Sequence, residues 1–217
     1  MAARSFPLGA DRSRSQVCPR GAHMTTDPRN SDRLPTAEGT CRPLGRHVVL
    51  IGLRASGKST VAAALADALT VDWVDLDERT RVILGSSTVR EAFLQHGEAA
   101  FRAAESEALS AALDGPPAVL ALGGGTPTAP GAAYRLDAER RGGRAFVVFL
   151  DPDIAVLAAR LRSHDGDRPS LTGRGVVEEI EEIARARRPL YAALADLRLL
   201  DDLDAASAVS IITSQVC

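Results

Sequence analysis

Residues Gly52-Leu53-Arg54-Ala55-Ser56-Gly57-Lys58-Ser59 complete the pattern G-x-x-x-x-G-K-[ST], and nothing else in the chain limits its fold so tightly. Such a loop turns backbone N–H groups inward around a phosphate, which requires small side chains at Gly52, Ser56 and Gly57. A strand must lead in and a helix must lead out, so that the helix dipole favours the anion. Both flanks are present. Residues 47–51 (HVVLI) read as a short buried strand, and residues 60–69 (TVAAALADAL) as a helix with Val61, Leu65, Ala68 and Leu69 on one face. Lys58 is the chain's only lysine; every other basic residue is arginine. A slim ammonium reaches β- and γ-phosphates where a broad guanidinium fits poorly, and Ser59 offers a hydroxyl to Mg²⁺. A chance glycine loop is the competing reading, and the two flanks argue against it.

With 217 residues, one domain with a real core is expected. No run approaches the ~18 apolar residues of a membrane span. The net charge of −2 indicates neither a nucleic-acid-binding polycation nor an acidic tail. Cys18, Cys41 and Cys217 fall outside the expected core and resemble neither a disulfide framework nor a metal site, which points to a reducing cytoplasm. Residues 1–47 hold eight arginines against Asp11, Asp27, Asp32 and Glu38, while the remainder is net acidic. This stretch is rich in Arg, Ser, Pro and Thr and lacks apolar periodicity. It therefore reads as a disordered extension over 1–46, ahead of a domain over 47–213. It also lacks the apolar core of a secretory signal. An electrostatic arm or a targeting peptide is the functional alternative to an extension without a role.

Past the first helix, strands and helices alternate. Residues 71–77 (VDWVDLD) read as a strand ending in two carboxylates, 78–84 and 89–95 as short helices, and 98–113 as a longer helix stopped by Asp114-Gly115-Pro116-Pro117. Residues 118–122 and 145–150 (AFVVFL) read as buried strands. Residues 153–162 and 176–194 read as helices, the latter interrupted near Pro189, and 197–200 and 204–212 as a last strand and helix. This alternation predicts an α/β fold with a parallel sheet covered on both faces. Ligands then bind at the carboxyl ends of the strands. The loop at Gly52, the acids Asp75 and Asp77, and Gly123-Gly124-Gly125 all fall at such ends and should converge on one cleft.

Asp75 and Asp77 are two apart, so on a continuing strand they would share a side. Phosphoryl transfer needs a metal near the phosphates and a base near the attacking hydroxyl, and two carboxylates could divide those tasks. A helix N-cap at Asp77 is the structural alternative. The three glycines would let a substrate touch backbone N–H groups, or else form a turn before Pro127. On a helix, Arg102 lies four after Glu98 and three before Glu105, which could hold the guanidinium or form only a surface ladder. Arg168 sits in a polar, breaker-rich loop of the kind that closes as a lid. Arg187 and Arg188 precede Pro189-Leu190-Tyr191.

The order GLRASGKST, DLD, GEAAFR, GGG, DRPSL, RRPLY resembles the shikimate kinase family over residues 47–212. That resemblance implies a P-loop three-layer α/β/α fold with a five-stranded parallel sheet and a mobile lid, as in nucleoside monophosphate kinases. It implies transfer of the γ-phosphate of ATP to the 3-hydroxyl of shikimate. Many related kinases are monomers, so a monomer is expected. The cysteine usage, net charge and lack of an apolar span noted above set the expectation of a cytoplasmic enzyme without nucleic-acid or membrane partners. By motif position, Gly52, Arg54, Ala55, Ser56, Gly57, Lys58, Ser59 and Thr60 would hold ATP, with Arg162 near the adenine and Arg168 descending from the lid. Ser59 and Asp75 would serve Mg²⁺. Asp77 would bind the acceptor hydroxyls and help deprotonate the nucleophile, with Lys58 and Arg168 sharing the catalytic work. Arg102 and Arg187 would grip the shikimate carboxylate, Glu105 would orient Arg102, Gly124 and Gly125 would contact the ring, and Phe93 and Phe101 would line it. Arg187 is preferred to Arg188 because it stands two before the proline. A kinase for another polyol acid, such as gluconate, and a non-catalytic sensing module are the rival readings. The arginine pair weighs against the first, and retention of the lysine and both aspartates against the second.

Overall fold

The computed structural model describes residues 44–163, 176–200 and 202–217, the side chains of 176–178 excepted. Strand β1 (His47–Gly52) is buried at all six positions, as is β4 (Ala145–Leu150), and the two run parallel from His47 opposite Ala145 to Gly52 opposite Leu150. On its other side β1 pairs with β3 (Val119–Ala121), which pairs with β2 (Trp73–Asp75); β5 (Leu197–Leu199) flanks β4. The result is the expected five-stranded parallel sheet, in the order β2-β3-β1-β4-β5.

Successive residues of each strand feed opposite layers. Val48, Leu50, Val119, Val148 and Leu150 pack with α1 (Lys58–Leu69) and α7 (Ala205–Val216). Val49, Ile51, Leu120, Val147 and Phe149 pack with the layer built from α3 (Val89–Leu113), α4 (Ala132–Arg141), α5 (Ile154–Ser163) and α6 (Val176–Leu194). Hydrophobic strands covered on both faces need no polar alternation, which explains runs such as AFVVFL.

Several elements differ from the sequence reading. Helix α1 begins at Lys58 and buries Ala62 and Ala66, whereas Ala68 is exposed, because the buried set 58, 61, 62, 65, 66, 69 follows the helical repeat. The strand expected over 71–77 ends at Asp75. The Asp75 carboxylate accepts the N–H groups of Asp77 and Glu78 and starts α2 (Leu76–Ile83). Asp77 therefore stands in a helical first turn rather than on a strand beside Asp75. The helices expected over 89–95 and 98–113 form one span, α3, broken at Gly97, whose φ of 76° and ψ of 169° are open only to glycine. Helix α4 follows a short 3₁₀ turn (Thr126–Thr128) and had no counterpart in the sequence reading. Helix α6 has the expected span, Val176–Leu194, but runs through Pro189 without the interruption expected there. Cys217, after α7, is disulfide-bonded, although the cysteines had suggested no disulfide framework. Of the expected N-terminal extension, residues 1–43 lie outside the described residues; so do residues 164–175 of the expected lid, including Arg168. No described helix is long and apolar enough to cross a membrane.

Candidate active site

The loop after β1 works because it is cramped. A side chain at Gly52 would meet the Leu150 carbonyl at 2.5 Å and Ser56 Oγ at 2.7 Å. Gly57 is left-handed, with φ of 92°, and caps α1 without a side-chain hydrogen bond. The first amides of α1 have no intrahelical acceptors, so the loop and helix together present donors to an anion. Lys58 is buried, and its Nζ lies 2.8 Å from the Leu53 carbonyl, 3.1 Å from that of Gly52 and 3.3 Å from Ser56 Oγ. Its ammonium is thus fixed along the rim of the loop.

Ser59, on the first turn of α1, donates to Asp75 Oδ2 at 2.9 Å. Among the described residues no group of three or more His, Cys, Asp or Glu could hold a metal ion. A hydroxyl and one carboxylate oxygen, both hard donors beside a phosphate loop, nonetheless suit Mg²⁺, which takes few protein ligands and completes its shell with water and substrate phosphate. The two residues fit that ion.

A cleft of about 630 Å³ runs from Asp75, Asp77 and Gly124 along the loop to Arg160, Leu161 and the start of α7 at Leu203, Asp204 and Ala205. That volume suits a nucleotide-sized ligand. Arg160 donates to the Ala55 carbonyl at 3.2 Å and pairs with Asp202. Arg162, the expected adenine neighbour, is exposed and outside the cleft lining. Two positions along a helix turn a side chain by about 200°, so one of the pair faces the loop and the other faces away.

On the far side of Asp77, three glycines bring side chains together. A Cβ at Gly123 would collide with Asp77 Oδ1 and stand 2.9 Å from Glu105 Oε1. One at Gly124 would stand 2.9 Å from the Arg54 amide, and one at Gly125 would collide with the Arg102 guanidinium. The triplet is therefore the floor on which the P-loop, Asp77 and Arg102 meet. Arg102 Nη1 donates to Glu105 Oε2 at 2.6 Å, and Glu98 stands off at 3.5 Å. Glu105 is buried and its Oε1 accepts from Thr126 Oγ1 at 2.8 Å. Burial pushes the Glu105 carboxyl above the usual carboxylate range, with the Arg102 charge pulling against it. Phe93 and Phe101 meet edge to face at 5.6 Å across the Gly97 break.

The two arginines before Pro189 part company. Arg187 Nη1 donates to the Gly124 carbonyl at 2.9 Å, while Arg188 turns to Asp151 Oδ1 at 2.8 Å and the Pro152 carbonyl at 3.1 Å. Asp151 is buried and also takes Arg198 at 3.0 Å. Arg102 and Arg187 thus both reach the glycine triplet, from different helices. Thr126, Arg160 and Tyr191 were missed as neighbours of the site. Only Tyr191 carried a signal, in the RRPLY run.

The shikimate kinase family model matches residues 54–216. A shikimate kinase of Rhodopirellula baltica is 38% identical over 162 residues, covering 71% of this chain and 81% of the relative. That of Nitratidesulfovibrio vulgaris is 39% identical over 172 residues, covering 77% and 93%. Among solved structures, shikimate kinase from Acinetobacter baumannii in complex with shikimate superposes with a TM-score of 0.72 at 25% identity, covering 80% of this chain and 94% of that one.

Proposed function

We infer that this chain, which belongs to the shikimate kinase family, transfers the γ-phosphoryl group of ATP to the 3-hydroxyl of shikimate, giving 3-phosphoshikimate and ADP. The observation that carries the substrate assignment is the pair Arg102 and Arg187 reaching adjacent glycines beside Asp77. Two guanidiniums suit a small carboxylate, a carboxylate suits a diol, and glycine amides fit the ring between them.

The loop from Gly52 to Thr60 would cradle the triphosphate, with Lys58 beside the β- and γ-phosphates. Arg160, rather than Arg162, would lie along the nucleotide, given its place in the cleft. Ser59 and Asp75 would hold Mg²⁺, which when bound shares the triphosphate charge. Asp77 would orient the 3-hydroxyl and accept its proton as the hydroxyl oxygen bonds to the γ-phosphorus. The bond from that phosphorus to the β–γ bridging oxygen breaks, and ADP leaves with the electron pair. Positioning and charge neutralisation would do most of the work. Arg168, placed by motif, would add charge from the lid. Residues 47–213 would form the catalytic domain of a cytoplasmic monomer.

A coupled ADP-release assay with Mg·ATP tests this by comparing shikimate, gluconate, quinate and no acceptor. Turnover with shikimate alone is expected. Turnover with gluconate or quinate instead would keep the nucleotide site and discard the acceptor. Asp77→Asn should lower turnover by about 10²-fold or more while nucleotide affinity holds; unchanged turnover would remove Asp77 from its role.

A further inference from the structure

Tyr191 lies under the acceptor side of the cleft without lining it. It is fully buried, and its ring packs edge to face on Phe149 of β4, with centroids 5.6 Å apart. Its hydroxyl donates to the Gly124 carbonyl at 2.8 Å, the same oxygen that takes Arg187 Nη1 at 2.9 Å. The two residues are four apart on α6 and so share one helix face. Gly124 cannot retreat on the other side, since a Cβ there would already press on the Arg54 amide at 2.9 Å. In a trans peptide the carbonyl and the next N–H oppose each other, so fixing the Gly124 oxygen also fixes the Gly125 amide. Burial pushes the Tyr191 hydroxyl up to about 12, so it remains a donor at any working pH.

We propose that Tyr191 is a positioning residue for the acceptor acid: its hydroxyl anchors the Gly124 carbonyl, and that carbonyl aims Arg187 at the substrate carboxylate. The proposal rests on the shikimate reading above. Tyr191→Phe keeps the ring and removes only the donor. The expected result is a five- to tenfold rise in KM for shikimate, on the scale of one buried hydrogen bond, with KM for ATP within about twofold. In an Arg187→Ala background the same change should add less than about twofold, because both act through one oxygen. Additive effects, or equal rises in both KM values, would reduce Tyr191 to a packing residue and overturn the proposal. So would an unchanged KM for shikimate. A wild-type chain that never turns over shikimate would instead sink the function from which the proposal starts.

Discussion

Ala55 is held in the left-handed region, at φ of 62°, in the middle of the phosphate loop. For an alanine that conformation costs about 1–2 kcal/mol against the right-handed one, and glycine would adopt it freely. The Arg160 bond to the Ala55 carbonyl helps hold the strained peptide, and a side-chain change at 55 leaves that bond intact. Glycine's extra freedom in the unfolded chain offsets part of the relief, by about 0.4–1 kcal/mol. Ala55→Gly should therefore raise the melting temperature by about 1–3 °C, measured by thermal unfolding; a fall would mean the loop needs the methyl group. Glu105 carries a different kind of tension. Its folded-state carboxyl titrates above the ordinary value, with burial as the main cause, so protonation favours the folded state. The stability tied to that proton is fully present below the ordinary value near 4.5 and is lost as pH rises through the elevated one. Glu105→Gln imitates the protonated form. At pH 8 it should melt no lower than wild type, and the difference should shrink as pH falls toward 4.5. Its KM for shikimate should rise nonetheless, because Arg102 loses the nearer and buried of its two counter-charges and keeps only Glu98 at 3.5 Å. A variant much less stable than wild type at pH 8 would refute the elevated carboxyl. Most of the positions that the structure brings together around the cleft were legible because each sat in a short motif with a chemical reason for its residue types. Arg160 was not, since choosing between it and Arg162 requires knowing which way α5 is turned.

Gly97 divides α3 into a half carrying Phe93 and a half carrying Arg102 and Glu105. Nothing lies within 4 Å of a Cβ built there, so the requirement for glycine is backbone conformation and not space. Gly97→Ala should cost about 1–3 kcal/mol and, by straightening the helix, separate Phe93 from Phe101. Thermal unfolding and kinetics should show a lower melting temperature and a higher KM for shikimate, with KM for ATP unchanged. An undisturbed KM for shikimate would detach the break from acceptor binding. The sequence reading expects two helices, over 89–95 and 98–113, and the gap between them contains the break. It missed α4, whose buried positions Ala132, Leu136 and Glu139 keep helical spacing but include one large apolar residue and one acid, so the sequence shows little apolar stripe. It also overextended β2, because the helix cap is Asp75, through the amides two and three residues on, and not Asp77, where the alternative reading put it. Pro189 failed as a breaker: α6 is packed on both sides of it, through Ala184, Tyr191 and Leu194, and packing outweighs the one missing donor.

Among the described residues, which begin at 44, two buried clusters and five strands build the domain that holds the cleft. The family match begins at residue 54. The first 47 residues nevertheless carry four more basic than acidic groups, and the rest of the chain six more acidic than basic. An arm of that charge could draw anionic substrates toward the cleft, an effect that salt would screen within about 10 Å at 0.1 M. The fold argues otherwise. The phosphate loop supplies its own donors and Lys58, and on the proposed reading Arg102 and Arg187 would serve the acid, so added charge at a distance has little left to neutralise. A chain starting at residue 44 should keep kcat and both KM values within about twofold of the full chain, the range of an ordinary surface change. Both chains should be compared reduced, since Cys217 is disulfide-bonded. If the arm steers substrate, the full chain alone would show a KM for ATP that climbs between low and physiological salt, and the shortened chain would start from the higher value. Matching salt profiles would leave residues 1–43 without a part in catalysis, whereas diverging ones would make the arm part of the enzyme's field.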